Sequence, residues 1–351
     1  MSAPTLPPGS TLSAATGAAE ASMHGASTRL RKQGLGERFL AHGGVASIAV
    51  FFVAVCLLFT FATDAFLTAP NLLNIVRQSA PLLIVAAAMT FVITTGGIDL
   101  SVGSVLALVS ALSAAALQAG VPWPVVIVAM LALGAAIGAF QGWFVAYEGI
   151  PAFIVTLAGL SVIRGVALLV TAGYSIPIAA ESPFVFLGRA WFLGVPMPAW
   201  IALLVLVVAY LAFNESRFGR YVTGIGANAE AVRRAGVDTR ATTLMVYVLS
   251  STAAALAGII LAGRLGSGSS NAGQGFELEV IAAVVLGGTS LFGGRGTMVG
   301  TVLGALTVAV LANGLILAHM SPFLTPIVTG AIILVAIWLN FRLFRGGARK
   351  R

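Results

Sequence analysis

The sequence is poor in charged residues. Only 9% of its 351 residues are Asp, Glu, Lys or Arg, whereas 59% are hydrophobic and the mean hydropathy is +1.02. A soluble domain has roughly a quarter charged residues, so this composition excludes an ordinary soluble protein. It predicts an all-α, polytopic membrane protein. The 41 glycines suit that class, because small residues let membrane helices approach closely.

The chain also lacks residues on which many enzymes and metal sites depend. Cys56 is the only cysteine, which excludes an intramolecular disulfide and a cysteine-based metal cluster. The three histidines lie in the N-terminal tail or near span ends, so the serine-rich string 266–270 has no histidine base at membrane depth. A membrane-embedded enzyme is therefore disfavoured, and no catalytic residue or metal site is expected. The net charge of +8 fits membrane topology better than a nucleic-acid partner.

Long apolar runs divide the chain into segments. Residues 1–43 are predicted to be a disordered cytoplasmic tail, 44–343 the transmembrane domain and 344–351 a basic cytoplasmic tail. With about 20 apolar residues needed per helix, ten spans are expected, and both termini are cytoplasmic. The sixth and eighth are short enough to be half-helices, tilted or sheltered by neighbours. The approximate limits are 45–65, 76–95, 101–120, 124–147, 152–172, 198–214, 242–263, 277–292, 299–319 and 323–343.

Lysine and arginine placement gives the orientation. With ten spans and the N-terminus inside, fifteen of the nineteen basic residues fall in cytoplasmic segments or at inner span ends. Three fall at outer positions, namely Arg77, Arg189 and Arg264. The nineteenth, Arg164, lies about 18 Å into the fifth span, where pairing with Glu277 or Glu279 is favoured over snorkelling to the outer surface.

A polar, glycine-rich break separates the second and third spans, where residues 94–104 read TTGGIDLSVGS. Such a break persists in a membrane mainly where it faces protein or a water-lined cavity. Two interpretations of Asp99 stay open. It can cap the third span, assisted by Ser101, or it can face the transport path and bind hydroxyls or water. Asp99 is expected near the inner end of its span, so it escapes the full mid-bilayer penalty of about 3 kcal/mol.

The inner loop 215–241 contains the pattern of a short helix. Asn228 is a candidate N-cap, Glu230 lies in the first turn, Arg233 and Arg234 lie near the end, and Gly236 closes it. Two turns are not stable alone in water. The residues alone leave two possibilities equally open, a helix that docks in a partner's groove and an ordinary solvated loop.

A second glycine-rich string occupies residues 287–296. It lacks the Gly-Lys-Ser/Thr ending and the preceding strand of a P-loop, so nucleotide binding is rejected here. It shares a Gly-Gly-x-x-Leu pattern with residues 96–100. That match indicates either an internal repeat or convergent helix-break chemistry.

Taken in order, these strings resemble the ribose-type permeases of bacterial ABC importers over residues 45–343. The resemblance is carried by the strings 71–78, 94–104, 150–157, 217–236 and 277–296. It implies a subunit of the inner (plasma) membrane that pairs, as a homodimer, with a cytoplasmic ATP-binding cassette ATPase. ATP and magnesium would bind to that ATPase, so no cofactor is expected here. A periplasmic or lipid-anchored binding protein would deliver a monosaccharide.

The resemblance also assigns the candidate site residues. Gly96, Gly97, Asp99 and Ser101 would belong to the translocation path. Residues 226–236 would be the coupling helix that docks on the ATPase, with Gly226, Asn228, Glu230, Arg233, Arg234 and Gly236 as its candidates. The outward-facing Arg77, Arg189 and Arg264 are expected to dock the binding protein, on topology and charge alone. Alternatives are a permease for a nucleoside or an autoinducer-like ligand and, less favoured, an ion-coupled secondary transporter.

Overall fold

The computed structural model describes residues 43–321 and, beyond them, residues 324, 327, 328, 330, 331, 334 and 335. The predicted tails 1–43 (apart from Gly43) and 344–351 therefore lie outside the described residues. So does the predicted tenth span, 323–343, apart from the few positions just named.

Helices dominate the described part of the chain, as the composition predicts. Between residues 43 and 321, its eleven α-helices are α1 Gly43–Ala62, α2 Ala69–Thr94, α3 Val102–Gln118, α4 Trp123–Ala146, α5 Ala152–Thr171, α6 Phe186–Arg189, α7 Met197–Asn214, α8 Arg217–Arg234, α9 Thr239–Leu265, α10 Phe276–Leu286 and α11 Met298–Leu317. Its four strands have two residues each: β1 Ile176–Pro177, β2 Trp191–Phe192, β3 Val195–Pro196 and β4 Ser267–Gly268. Antiparallel pairs join β1 to β4 and β2 to β3.

Each of the nine predicted spans inside the described residues coincides with a helix. Seven of these helices are long and apolar enough to cross a membrane, counting only the described residues. The exceptions are α3, with 17 residues, and α10, with 11. The predicted limits 277–292 of the eighth span are therefore wrong at their C-terminal side. The helix ends at Leu286, and Gly288 follows with a left-handed backbone (φ +92°).

Helix α9 lies at the centre of the bundle and packs against α2, α3 and α4. The contact with α4 is close because glycine recurs every fourth residue there, at 134, 138 and 142. A Cβ atom at Gly134 would lie 2.8 Å from the Ser251 carbonyl oxygen, and one at Gly142 would lie 2.9 Å from the Leu244 carbonyl oxygen. A stripe of small residues thus brings two helix backbones together, as membrane helices require.

The same arrangement of long helix, irregular segment and short helix occurs twice. It is formed first by α2, residues 95–101 and α3, and again by α9, residues 266–275 and α10. The long helices are antiparallel: Arg77 near the start of α2 is close to Arg264 at the end of α9, whereas Gly97 just after α2 meets Tyr247 in the first half of α9. Each short helix packs on the other unit's long helix, α3 on α9 and α10 on α2.

This duplication differs from the one suggested by the Gly-Gly-x-x-Leu strings. Residues 96–100 follow a long helix, whereas residues 287–291 follow a short one. The two strings therefore do not occupy equivalent positions in the two units. Their shared pattern reflects the common need for glycine where a helix stops.

Candidate translocation and coupling site

The break after α2 begins with a helix stop made by glycine. The Gly96 N–H donates to the Ile93 carbonyl (2.9 Å) and the Gly97 N–H donates to the Val92 carbonyl (3.1 Å). These two bonds form a Schellman motif, which places its C′ residue in the left-handed region. Gly96 occupies that position with φ +84°, so its lack of a side chain is required by the backbone.

Beyond this stop, the Asp99 carboxylate is fully buried and hydrogen-bonded. Its Oδ1 accepts from the Ser101 N–H (2.9 Å) and from the Ser101 hydroxyl (2.7 Å), and its Oδ2 accepts from the Ser250 hydroxyl of α9 (2.7 Å). Asp99, Ser101 and Ser250 are each 0% exposed. The N-cap residue of α3 is Ser101, and its side chain makes no capping bond. Asp99 instead orients the turn just before α3 through the Ser101 N–H.

The depth of Asp99 differs from the prediction. Its partner Ser250 lies about 17 Å along α9 from Thr239, and the whole helix is about 40 Å long at 1.5 Å per residue. Asp99 directly precedes the inner end of α3, as predicted, but this helix end lies near the middle of the bundle. The extended residues between Gly97 and Ser101 carry the chain to this depth before α3 begins. Sequence periodicity reports helix faces but not the depth to which an irregular segment penetrates.

Helices α4 and α5 complete the surroundings of the break. The Ser101 hydroxyl lies 3.0 Å from Oε1 of Gln141 on α4, and the Thr156 hydroxyl of α5 donates to the Ile98 carbonyl (3.2 Å). Gln141 is 3% exposed and packs against Gly159. The break thus joins α2, α3, α4, α5 and α9 through polar contacts in an otherwise apolar interior, which fixes their relative positions.

Sequence reasoning missed three of these residues: Gln141 as a contact of the break, Ser250 and Tyr247. The fully buried Tyr247 hydroxyl packs against Gly97, where a Cβ atom would overlap it, and it has no hydrogen-bond partner among the described residues. The available signal was the interruption of the apolar α9 sequence by a tyrosine and, three residues later, a serine pair. Their partners lie about 150 residues away in the sequence, as for Ser250 and Asp99, so no local pattern identifies the contact.

The break 94–104, the string 287–296 and Gly226 of the inner loop meet at the end of the bundle that holds α8, which we call the α8 end. The Gly294 N–H donates to the Thr94 carbonyl oxygen (2.9 Å). A Cβ atom at Gly226 of α8 would overlap both of these groups, and one at Gly293 would lie 2.9 Å from the Gly96 nitrogen. We call this backbone-to-backbone contact of Thr94, Gly96, Gly226, Gly293 and Gly294 the glycine junction. It connects α8 directly to the start of the Asp99 break.

Helix α8 consists of two parts. It begins at Arg217, earlier than predicted, and its first part is anchored by the buried Val222 and by Gly219, whose close approach to the Phe213 carbonyl leaves no room for a Cβ. Asn228 then leaves the helical region (φ −163°, ψ 94°), and its Oδ1 accepts from the Ala231 N–H (3.0 Å). Asn228 therefore caps the second part, which confirms the predicted N-cap.

The second part of α8 is exposed and ends as the sequence predicts. Gly236 has φ +86° and its N–H bonds the Arg233 carbonyl (3.0 Å), while the Val237 N–H bonds the Val232 carbonyl (3.3 Å), which completes a Schellman motif. Glu230 forms salt bridges with Arg233 (2.7 Å) and Arg234 (2.9 Å). The hydrogen bonds from Arg234 and Arg233 hold the pKa of the Glu230 carboxyl below its usual value.

The three arginines predicted to face outward lie at the opposite end of the bundle, beside β1 and β4. Arg189 Nε donates to the Arg264 carbonyl oxygen (2.9 Å), and the Arg77 and Arg264 guanidinium groups are close enough to repel each other. Among the described residues none of the three has an acidic partner within 4.0 Å, and Arg77 Nε and Arg264 Nη1 are buried without a hydrogen-bond partner. The structure thus forms a cluster of unpaired positive charge.

Arg164 has partners other than those expected. Its Nη1 donates to the carbonyl oxygens of Ser270 (2.6 Å) and Ala272 (2.8 Å) in the segment before α10. Within the described chain neither Glu277 nor Glu279 comes within 4.0 Å of it, so the predicted salt bridge is not formed, although the Glu277 carboxylate is near enough to attract the guanidinium. The guanidinium satisfies backbone carbonyls that lack helix partners inside the bundle, which a membrane protein must do.

Seven helices of membrane-crossing length among the described residues, together with two helix interruptions inside the bundle, are typical of multi-pass membrane transport proteins. The chain belongs to the family of permease components of branched-chain amino acid transport systems, whose model matches residues 71–337.

Individual relatives are also similar to this chain. The ribose import permease protein RbsC of Escherichia coli strain K12 is 42% identical over 300 residues, covering 84% of this chain and 92% of the relative. RbsC of Bacillus subtilis strain 168 is 41% identical, covering 79% and 86%. The xylose transport system permease protein XylH of E. coli K12 is 36% identical, covering 82% and 89%. No solved structure matches the chain significantly.

Proposed function

We propose that this chain is the membrane-spanning permease subunit of an ATP-binding cassette importer for a monosaccharide, a pentose or a hexose. The relatives' names indicate ribose and xylose. The family description names branched-chain amino acids. We give more weight to the individual sugar permeases, because each match covers at least 79% of this chain and 86% of the relative. The chain itself carries out no bond chemistry, because ATP is hydrolysed on a partner subunit.

The proposed topology has ten spans with both termini in the cytoplasm and the loop 215–241 between spans on the cytoplasmic side. It rests on the excess of basic residues at the α8 end of the bundle. Two copies of the chain would form a homodimer around one path. A periplasmic or lipid-anchored binding protein would meet the opposite end, where Arg77, Arg189 and Arg264 lack acidic partners among the described residues.

The observation that carries the proposal is the glycine junction. The exposed second part of α8 projects from the bundle, while the first part touches the Asp99 break through Gly226. A displacement of α8 by a partner at its exposed face would therefore act on the backbone that precedes α3. We propose that Asn228, Glu230, Arg233, Arg234 and Gly236 shape the surface that meets the ATPase, and that Gly226 transmits its movement.

We propose that Gly96, Gly97, Asp99 and Ser101 act in the translocation path as its hinge. Asp99 and Ser101 are fully buried, so they would meet substrate only after the surrounding helices separate. Their hydrogen bonds to Ser250 and Gln141 would be exchanged during that movement. The polar contacts thus define one of two discrete arrangements, which alternating access requires.

A second candidate function follows from the two interrupted helices. Secondary transporters bind substrate and ions at broken helices near the bilayer midplane, and Asp99 lies at such a depth. The two functions differ in their energy source. Uptake by an ATP-driven importer survives collapse of the ion gradient and stops when the partner ATPase is inactivated.

Co-purification in mild detergent tests the proposal directly. The tagged wild type is expected to retain a cytoplasmic ATPase, and the Arg233→Glu/Arg234→Glu variant is expected to lose it. Retention by both would move coupling elsewhere in the loop, whereas absence of any ATPase from the wild type, under conditions that preserve other membrane complexes, would favour the secondary transporter. Arg240→Glu, a charge reversal at the start of α9 and outside the capped helix, is the matched control.

Charge reversal tests the docking cluster separately. Replacing Arg77, Arg189 and Arg264 together by glutamate should abolish uptake that depends on the binding protein, while ATPase association is retained. Unchanged uptake by the triple variant would refute the docking role.

A further inference from the structure

A polar surface occurs where the irregular segment 266–275 meets α10. Gln274 and Glu279 are exposed, Leu278 between them is 63% exposed, and Glu277 is partly buried. Together they place one amide group and two carboxyl groups in the first turn of α10 and the segment just before it. None of them was assigned a role in the hinge, in coupling or in docking.

Packing against α3 fixes the depth of this surface. Gly103 of α3 lies against the Gly273 carbonyl and the Glu277 carboxylate. Two contacts with α9 lie on either side of Gly103 in the sequence. Asp99 bonds Ser250, and Leu106 packs on Gly258. Along α9, Ser250 lies about 17 Å and Gly258 about 28 Å from Thr239, and the whole helix is about 40 Å long. The start of α10 therefore lies well inside the membrane-crossing part of the bundle.

Contact between this polar surface and lipid hydrocarbon is energetically unfavourable. Exposed amide and carboxylate groups at mid-membrane depth face a water-filled cavity or another polar surface in membrane proteins. In addition, Oε2 of Glu277 is buried beside Gly103, and no described residue donates a hydrogen bond to it. The surface thus offers the exposed hydrogen-bonding groups of Gln274 and Glu279, whereas Oε2 of Glu277 faces α3 and is not accessible in this arrangement.

The chemistry of the surface favours a neutral polyol. Carboxylate oxygens accept hydrogen bonds from hydroxyl groups, and an amide both donates and accepts them. A ligand carboxylate would instead need a free cation, yet the nearby Arg164 directs its Nη1 to two backbone carbonyls. An anionic or zwitterionic ligand is therefore disfavoured relative to a sugar.

We propose that Gln274 and Glu279 form a subsite for sugar hydroxyl groups in the translocation path, at the N-terminal end of α10. This inference rests on the proposed function, because it assumes that the path carries a monosaccharide. It adds a location for the substrate that is distinct from the buried Asp99 hinge. The half-helix α10 presents its first turn to the path, while Arg164 holds the preceding segment in place.

Cysteine accessibility in the assembled importer tests this subsite. Single cysteines replace Gln274 or Glu279 in a Cys56→Ser background, and vesicles containing the complex with its ATPase and binding protein receive a charged, membrane-impermeant thiol reagent. Leu204→Cys, an exposed apolar position in the middle of α7 (65% exposed), is the control. Ribose and xylose are the probes, with and without ATP, and uptake by the Cys56→Ser parent is measured in the same vesicles.

We expect both introduced cysteines to react during turnover, ribose or xylose to slow their labelling at least threefold, and Leu204→Cys to stay unreactive. Reaction that neither sugar slows would refute the subsite while leaving an aqueous path. No reaction in any state would also refute it and would indicate that a second copy or another segment covers the surface. Lack of uptake of any pentose or hexose by both the wild type and the Cys56→Ser parent would refute the proposed function itself, whatever the labelling shows.

Discussion

Replacement of Gly226 by alanine is the sharpest perturbation that the structure offers. Gly226 lies in the first part of α8, and its φ is not in the left-handed region. An added Cβ atom would overlap the Thr94 carbonyl oxygen and the Gly294 nitrogen. The substitution therefore inserts one methyl group between α8 and the Asp99 break without changing charge or polarity.

The expected magnitude follows from two opposing effects. Alanine is intrinsically better than glycine inside a helix by about 1 kcal/mol. Overpacking of a tight contact costs about 1–3 kcal/mol, and loss of the hydrogen bond between Gly294 and Thr94 costs about 0.5–1.5 kcal/mol more. The neighbours are backbone atoms that cannot rotate away, so the penalty exceeds the helix gain. We expect the junction to weaken by about 0.5–3.5 kcal/mol, which corresponds to roughly 2- to 300-fold in an equilibrium between two arrangements.

Proteoliposomes that contain the permease, its ATPase and the binding protein provide the assay. Gly226→Ala should lower sugar uptake per ATP hydrolysed, because the ATPase still binds the exposed part of α8 while the junction no longer follows it. Gly224→Ala is the matched control, since its Cβ atom would meet only the Val232 Cγ2 atom at 2.9 Å, the end of a side chain. Wild-type coupling in Gly226→Ala, or equal losses in both variants, would contradict the reasoning.

Two further predictions concern single polar groups. Ser250→Ala removes a donor to a buried carboxylate and should lower stability by about 1.5–3 kcal/mol, measured as a reduced thermal midpoint in detergent, whereas Ser251→Ala, whose hydroxyl has no partner, should be nearly neutral. The pKa of Glu230 is lowered by its arginine partners, so its stabilising contribution is present above the unfolded pKa of about 4.3 and is lost as the pH falls through the lower folded pKa. Carbon-13 NMR of labelled glutamate should show this low pKa, and Arg233→Gln/Arg234→Gln should raise it; a titration unaffected by that double change would contradict the ion-pair explanation.

Local signals in the sequence were sufficient to predict several helix limits and two helix caps. The limits of α4, α5 and α7 agree with the predicted spans to within a residue or two, because apolar runs bounded by proline or polar residues specify membrane helices. Asn228 and Gly236 were also identified correctly, because a cap and a left-handed stop depend on residues within one or two turns.

Other features depended on residues far apart in the chain. The ion pair expected for Arg164 is replaced by bonds to the Ser270 and Ala272 carbonyls, and no sequence pattern shows which backbone carbonyls a fold leaves unsatisfied. Asp99 precedes the inner end of α3 as predicted, but the depth at which α3 begins was not foreseen, because it depends on the contact between Asp99 and Ser250. In both cases the contact involves an irregular backbone segment inside the bundle, and local sequence patterns do not predict the position of such a segment.

The sequence by itself determined that this chain is an α-helical membrane protein with glycine-rich breaks, because composition, apolar run length and caps act locally. Only the tertiary structure decided that three glycine strings separated by up to about 200 residues form one junction, and that α3 and α10 begin inside the bundle. The physical reason is steric: backbones can touch only where both lack side chains. The packing of the whole bundle therefore determines which glycines come into contact.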